Sequence, residues 1–184
     1  MTLKTGHIVA FGELLLRLTP PDRRMVAQTQ SLDVEVGGAE ANVLAGLASL
    51  GHPTRMISRV ADNPLGRLAL GTLAARGVNI ASIASTPGRM GLYFLEQGQG
   101  MRASSITYDR AGSAFARSTV DDFDFPAALD GASLLHLSGI TPALGANSAE
   151  AALAAAHAAK EASVPISFDG NFRPQLWAAW DSDP

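Results

Sequence analysis

The sequence predicts an open α/β fold, in which helices flank a sheet of parallel strands and a small antiparallel sheet lies beside it. Short apolar runs alternate with segments of helical periodicity, and that alternation is typical of parallel α/β sheets. Between residues 80 and 110 the rhythm changes to short apolar stretches separated by glycines. With 184 residues the chain can bury one sizeable core, so we treat residues 1–184 as one domain.

The strands of the main sheet are predicted from short apolar runs. The first run is His-Ile-Val-Ala-Phe-Gly at residues 7–12, and its lack of alternation is typical of a strand buried on both faces. Similar runs predict further strands at residues 54–60, 134–137 and 164–168.

Three helices are predicted between these strands. Residues 39–50 place their large apolar side chains on one face, and Gly51 follows as a stop signal. A second helix begins at Asn63-Pro64, a capping side chain followed by proline at the first helical position. The alanine-rich segment 148–162 predicts a third helix, with Asn147 as part of a capping box.

The smaller sheet is predicted from segments that do not fit the parallel rhythm. Residues 14–18 and 33–36 alternate in polarity, and residues 90–110 contain two apolar stretches that read as paired antiparallel strands. Together these three segments could form a small flap inserted into the main domain.

Composition excludes several classes of function. The net charge is −3 without a basic stripe, so we expect no nucleic-acid partner. The chain has no cysteine, and hence no disulfide, thiolate metal site or thiol nucleophile. No segment reads as a signal peptide or a membrane span, so we expect a cytoplasmic protein without a membrane partner.

The Gly37-Gly38 pair opens the first predicted helix. Such a turn allows a close backbone approach and offers free N–H groups at a helix N-terminus. Asn42 supplies both a donor and an acceptor, which suits sugar hydroxyls. The alternative is an ordinary strand-to-helix turn with a solvated Asn42. The third glycine of a dinucleotide-binding turn is missing, and there is no Gly-Lys-Ser/Thr phosphate loop.

Polar side chains follow the predicted strand at 164–168. Ligands of open α/β sheets bind at the carboxyl ends of strands, which places Asp169, Asn171 and Arg173 at a candidate site. Arg173 could pair with a carboxylate or a phosphate, and Asp169 could help to hold Mg²⁺ through water. A polar loop that caps the sheet is the alternative.

A second group of candidates lies in the flap. Tyr108 and Arg110 alternate with Asp109 and so share one face if the strand continues, and Tyr93 lies on the neighbouring strand. A tyrosine and arginine face could hold an acidic sugar. The alternative, which the residues alone slightly favour, is a surface strand with a packed tyrosine. The four histidines show no metal-ligand spacing, so no protein metal site is predicted.

Several segments occur together in the order found in one known family. They are Gly12-Glu13 and residues 37–42, 47–51, 58–66 and 77–78. With them the chain resembles the ribokinase-like (PfkB) carbohydrate kinases along nearly its whole length. Within that family, the similarity is to kinases of 2-keto-3-deoxygluconate. The segments that carry it are Tyr93, Tyr108-Asp109-Arg110 with Ser113-Ala114, residues 137–141, and residues 169–173 with Leu176-Trp177.

The resemblance implies a Rossmann-like core with a β-lid over a sugar site, and transfer of the ATP γ-phosphate to a terminal hydroxyl with Mg²⁺. It implies that Gly37, Gly38 and Asn42 bind sugar hydroxyls. The side chains that would contact the substrate from the lid are Tyr93, Tyr108 and Arg110. Arg173 would meet the carboxylate of a sugar acid or the transferring phosphate, and Asn171 would lie near the nucleotide phosphates. A homo-oligomer formed through the lid is a further expectation.

The sequence departs from the family in one respect. The family has a Gly-Ala-Gly-Asp motif in its C-terminal half, where the glycines form an anion hole and the aspartate is the catalytic base. No such motif occurs up to Pro184. We therefore expect the N-terminal portion of a sugar kinase, without a catalytic residue of its own and inactive alone, whose strand at 164–168 is an unprotected edge. The alternatives are a fructokinase or ribokinase, or a non-catalytic sugar-binding fragment.

Overall fold

The computed structural model of the chain describes residues 6–177 and contains two sheets. The main sheet has five parallel strands in the order β5-β4-β1-β8-β9. Its strands, in chain order, are β1 (His7–Phe11), β4 (Thr54–Ala61), β5 (Ile83–Thr86), β8 (Ala132–Ser138) and β9 (Ile166–Asp169). This is the parallel α/β sheet that the alternating pattern predicts.

The second sheet has four strands in the order β3-β2-β6-β7. They are β2 (Leu15–Thr19), β3 (Asp33–Gly37), β6 (Gly91–Glu96) and β7 (Ser105–Asp109). Each of the three segments predicted for the flap contributes at least one strand to this sheet, and we call it the lid sheet. The lid sheet is mixed rather than wholly antiparallel, because β2 and β6 run parallel to each other.

The described part of the chain has five α-helices; the first four lie between strands and the fifth follows β9. They are α1 (Ala39–Ser49), α2 (Pro64–Ala75), α3 (Phe125–Leu129), α4 (Ala146–Glu161) and α5 (Pro174–Trp177). Short 3-10 turns occur at Pro21–Arg23, Val26–Gln28, Val120–Asp122 and Pro142–Leu144. No helix in this part of the chain is long and apolar enough to cross a membrane.

The core consists of two clusters, one on each face of the main sheet. Val9 and Phe11 belong to one cluster and Ala10 to the other, because successive strand residues point to opposite faces. The α4 alanines pack on the first face, while α1 and α2 supply Leu44 and Leu73 to the second. The central strand β1 is therefore covered on both sides, which explains its continuous apolar run.

Of two predicted helix N-caps, one is confirmed and the other is wrong. Asn63 caps α2 as predicted, since its Oδ1 accepts hydrogen bonds from the backbone N–H groups of Leu65 and Gly66. The capping box predicted at Asn147 is wrong. Helix α4 begins at Ala146 with Gly145 as its cap, at φ +135°, so Asn147 already lies inside the first turn.

Strand β9 is an edge of the main sheet within the described residues. Its side chains Ile166 and Phe168 are 42% and 64% exposed, and the nearby Phe172 is 48% exposed. Open N–H and C=O groups beside exposed apolar side chains favour pairing with another chain.

We expect this edge to make the 184-residue chain self-associate as its concentration rises. Phe168→Lys places a charge on the edge and should shift sedimentation velocity profiles towards the monomer. Leu153→Lys is the matched control, because Leu153 is 61% exposed but lies on α4. A wild-type chain that stays monomeric and unfolds cooperatively over the same concentrations would contradict the expectation.

Candidate active site

A cavity of about 220 Å³ lies where the carboxyl ends of the main-sheet strands meet the lid sheet. Larger cavities occur elsewhere, such as one of about 380 Å³ beside α4, but polar side chains from both sheets converge on this one. Its lining comprises Glu13, Leu15, Gly38, Ala39, Glu40, Asn42, Tyr93, Ile106, Tyr108, Arg110, Ile140, Asn171 and Arg173. The structure thus brings together seven of the nine predicted site residues.

The Gly37-Gly38 turn joins the lid strand β3 to helix α1. Gly38 has φ +145°, and a Cβ there would lie 2.6 Å from the carbonyl oxygen of Glu13, so only glycine fits this turn. Gly38 is also the N-cap of α1, and its carbonyl oxygen accepts a hydrogen bond from the Asn42 N–H at 3.0 Å. The turn therefore holds Asn42 at the cavity. Gly37 lies beside the Tyr93 ring but does not itself line the cavity.

Two tyrosines form the lid side of the cavity. Tyr93 on β6 and Tyr108 on β7 face each other across the antiparallel pair, with ring centroids 6.1 Å apart. The sequence predicted these paired strands, and the register confirms them. Amphipathic rings in this position can pack on the carbon skeleton of a ligand while their hydroxyls form hydrogen bonds.

Arg110 follows β7 directly and is bound to a carboxylate. Its Nε and Nη2 donate hydrogen bonds to Glu13 Oε2 at 2.8 and 2.5 Å, and Ser113 Oγ donates to Glu13 Oε1 at 2.5 Å. Arg110 and Glu13 are 7% and 2% exposed. The guanidinium also lies over the Tyr108 ring, at 5.9 Å from its centroid. The charge of Arg110 is therefore already compensated inside the protein.

A second buried carboxyl, that of Glu40 in the first turn of α1, also reaches the cavity wall. Glu40 Oε1 accepts hydrogen bonds from Ser138 Oγ at 2.5 Å and Thr141 Oγ1 at 3.2 Å. Its Oε2 has no hydrogen-bond partner among the described residues and lies against Gly12. Burial raises the pKa of the Glu40 carboxyl above its ordinary value of 4.5, although the two hydroxyl donors act in the opposite direction.

Of the three predicted site residues that follow β9, two line the cavity and one does not. Asn171 and Arg173 line the cavity, whereas Asp169 lies outside the lining and is exposed. One Asp169 oxygen, Oδ1, accepts a hydrogen bond from the Asn171 N–H at 3.0 Å. Arg173 is exposed and donates from Nη1 to the carbonyl oxygen of Phe172. Within residues 6–177, Arg173 has no ion pair, in contrast to Arg110.

Neither buried glutamate was among the site residues predicted from the sequence. Both lie in segments that the resemblance used, Gly12-Glu13 and residues 37–42, but glutamate is ordinarily a surface residue. The available signals were a carboxyl beside Gly12, at the end of a buried strand, and another in the first turn after Gly37-Gly38. The residues that the structure describes hold no cluster of three or more metal-ligating side chains.

Removing the Glu13 carboxylate should strongly destabilise the fold. In Glu13→Gln the buried Arg110 charge loses its counter-charge, and the expected cost is about 3–5 kcal/mol of unfolding free energy. Urea unfolding measures it. The control is Glu35→Gln, which breaks the exposed Arg17–Glu35 pair on the same lid sheet and should cost less than about 1 kcal/mol. Equal costs for the two variants would show that burial does not matter here.

The buried Glu40 carboxyl should make stability depend on pH. Its pKa is raised in the folded state, so between 4.5 and that raised pKa the unfolded chain has lost a proton that the native chain keeps. The unfolding free energy should therefore fall as pH rises through this range, relative to Glu40→Gln, which cannot titrate. Urea unfolding of both proteins over a pH series measures the difference, and a difference independent of pH would contradict the assignment.

Comparison with known proteins gives the context of this site. The model of the pfkB family carbohydrate kinases matches residues 5–182. A 2-dehydro-3-deoxygalactonokinase from Haloferax volcanii is 34% identical over 178 residues, which are 97% of this chain and 56% of the relative. A fructokinase from Escherichia coli is 35% identical over 77% of this chain and 45% of its own length. The chain thus spans about half the length of these curated relatives.

The fold agrees with solved structures of the same group. The crystal structure of 2-dehydro-3-deoxygluconokinase from Thermotoga maritima superposes with a TM-score of 0.90 at 45% identity, covering 94% of this chain and 53% of that protein. The predicted ribokinase-like α/β fold with a second sheet is therefore confirmed. The family match over most of the chain shows that this protein belongs to the pfkB family of carbohydrate kinases.

Proposed function

We propose that the chain is the sugar-binding part of a kinase that phosphorylates the terminal hydroxyl of a sugar acid, most closely 2-keto-3-deoxygluconate or its galacto epimer. The observation that supports this most is the cavity between the Gly37-Gly38 turn, the lid tyrosines and Arg173. It offers hydroxyl-binding groups, aromatic rings and a cation without a carboxylate partner in the described chain. Two of the relatives reported above are named for 2-keto-3-deoxy sugar acids.

Each group then has a role set by its position. The Gly38 backbone and the Asn42 amide bind the sugar hydroxyls, because an amide both donates and accepts hydrogen bonds. Gly37, which the resemblance also assigns to the hydroxyls, supports this turn from beside the Tyr93 ring. Tyr93 and Tyr108 pack against the sugar from the lid. Arg173 meets the carboxylate or the transferring phosphate, for which a guanidinium offers paired donors. Arg110 contacts the substrate through the part of its guanidinium that Glu13 leaves free.

ATP and Mg²⁺ are the proposed cofactors, since a kinase needs a phosphoryl donor. The residues present fit a supporting role: Asn171 lines the cavity, and Asp169 keeps one carboxylate oxygen free of its hydrogen bond with Asn171. Mg²⁺ usually keeps several waters and needs only one or two protein carboxylates beside the phosphates. When bound, the ion would neutralise charge on the phosphates during transfer.

A catalytic base is the group that the described cavity does not supply. Glu13 is held in an ion pair. Glu40 is fully buried, with its Oε1 bound by two hydroxyls and its Oε2 enclosed against Gly12, so neither carboxylate is placed to take a proton from a substrate. We propose that the base lies in the half of the relatives that this chain does not match. The chain by itself then binds sugar without turning over ATP.

The alternative substrate is a neutral sugar such as fructose, which the similarity to a fructokinase favours. A non-catalytic sugar-binding fragment remains the alternative role. For either role we also propose self-association through the lid sheet, where Val34 and Ile106 are 46% and 40% exposed.

A fusion protein tests the proposal directly. The chain is joined to the half of the Thermotoga maritima enzyme that it does not cover, and ATP turnover is measured with 2-keto-3-deoxygluconate and with fructose. We expect turnover of the sugar acid by the fusion and none by the chain alone. Turnover by the chain alone would show that it does contain a catalytic base. A preference for fructose would show that the substrate is a neutral sugar and not a sugar acid.

Asn42→Ala in the same fusion tests the hydroxyl-binding role. Loss of one neutral hydrogen bond should raise KM about two- to twelvefold for both sugars, from about 0.5–1.5 kcal/mol of binding energy. Asn147→Ala is the matched control, because Asn147 is also an exposed asparagine in the first turns of a helix, away from the cavity. An unchanged KM in Asn42→Ala would remove Asn42 from the site.

A further inference from the structure

Glu13 joins the two sheets at the cavity. It lies two residues after β1 in the centre of the main sheet, while Arg110 follows the lid strand β7. Its carboxylate also packs against Gly91, the first residue of the lid strand β6, where a side chain would have no room. One buried carboxylate therefore contacts the lid sheet at β6 and just beyond β7.

The pair also determines what Arg110 can offer to a ligand. Glu13 accepts hydrogen bonds from Nε and Nη2, on one edge of the Arg110 guanidinium, and the guanidinium lies over the Tyr108 ring. A carboxylate at hydrogen-bond distance in a buried setting cancels most of the cation's field. Arg110 is therefore fixed in place and nearly neutral as seen from the cavity.

Arg173 differs from Arg110 on each of these points. It lines the same cavity but is exposed, and among the described residues its guanidinium donates a hydrogen bond to a neutral backbone carbonyl oxygen, that of Phe172. In the described part of the chain it has no carboxylate at ion-pair distance. Of the two arginines, Arg173 has the charge that is available to an incoming anion.

We propose that Glu13 is a positioning residue: it fastens the lid sheet through Arg110 and cancels the charge of Arg110, so that Arg173 alone of the two arginines distinguishes acidic from neutral sugars. This inference rests on the proposed function for its ligand and deepens it. Arg110, which the sequence predicts to contact the substrate, then has a mainly structural role. The inference also assigns a role to Glu13, for which the sequence analysis gave none.

A set of charge variants tests the selectivity. The affinities of the 184-residue chain for 2-keto-3-deoxygluconate and for fructose are measured by titration calorimetry at one ionic strength, and their ratio is compared between variants. Glu13→Gln exposes the Arg110 charge and should raise the acid-to-neutral ratio about tenfold. Arg173→Gln should lower the ratio about tenfold or more.

The double variant Glu13→Gln, Arg110→Gln decides between the two arginines. It removes both charges of the pair together, which buried pairs tolerate better than the loss of one partner, and so it also serves if Glu13→Gln fails to fold. The ratio should return to within about twofold of the unaltered chain. A ratio that falls in the double variant as far as in Arg173→Gln would show that Arg110 binds the acid and would overturn the inference.

Backbone amide exchange tests the fastening of the lid without any ligand. Amides of β6 and β7 should exchange at least about tenfold faster in the double variant than in Glu35→Gln, while amides of β1 and β8 keep their rates. Equal lid exchange in the two variants would overturn the positioning role. If the unaltered chain binds neither sugar, the proposed binding role and the selectivity part both fail, and amide exchange still decides whether Glu13 fastens the lid.

Discussion

The buried ion pair between Glu13 and Arg110 is the interaction on which the arrangement of the site depends. The main sheet and the lid sheet have separate hydrogen-bond networks, so their relative position is set by the short link from β1 to β2 and by side chains packed at their junction. Glu13 occupies that junction and is satisfied by three hydrogen bonds from Arg110 and Ser113. A buried charge is tolerated only when it is paired in this way. Separating the sheets would leave both charges unpaired, so the pair opposes any opening of the cavity.

The second constraint is the parallel sheet itself. Strands that run in one direction bring their carboxyl ends to one edge, so groups far apart in sequence become neighbours. Glu40, from the first turn of α1, reaches Ser138 at the end of β8 and Thr141 beyond it, and its carboxyl lies against Gly12 after β1. Asn171 and Arg173 follow β9 at the same edge. The fold thus concentrates polar groups where the apolar strands end, and the lid sheet covers them.

Features that leave a pattern in neighbouring residues were predicted from the sequence, and features that depend on distant residues were missed. The central strand β1 and helix α1 were predicted closely because burial on both faces and helical periodicity leave local patterns. Strand β5 was missed because it has four residues, none of them buried, at the edge of the sheet. The start of α4 was misplaced because Gly145, not Asn147, has the conformation that ends the preceding turn. The partner of Arg110 lies 97 residues away, and no local pattern specifies it.

The candidate site shows the same division between residue types and their environment. Sequence pattern selected seven residues that do line one cavity, because motifs record which side chains occur together. It could not record that one arginine is buried against a carboxylate while another is exposed, since that difference arises only from packing. The chemical consequence is large, because two residues of identical charge offer very different fields to a ligand. The part that each arginine plays in recognition therefore depends on the carboxylate beside one of them, and not on residue identity alone.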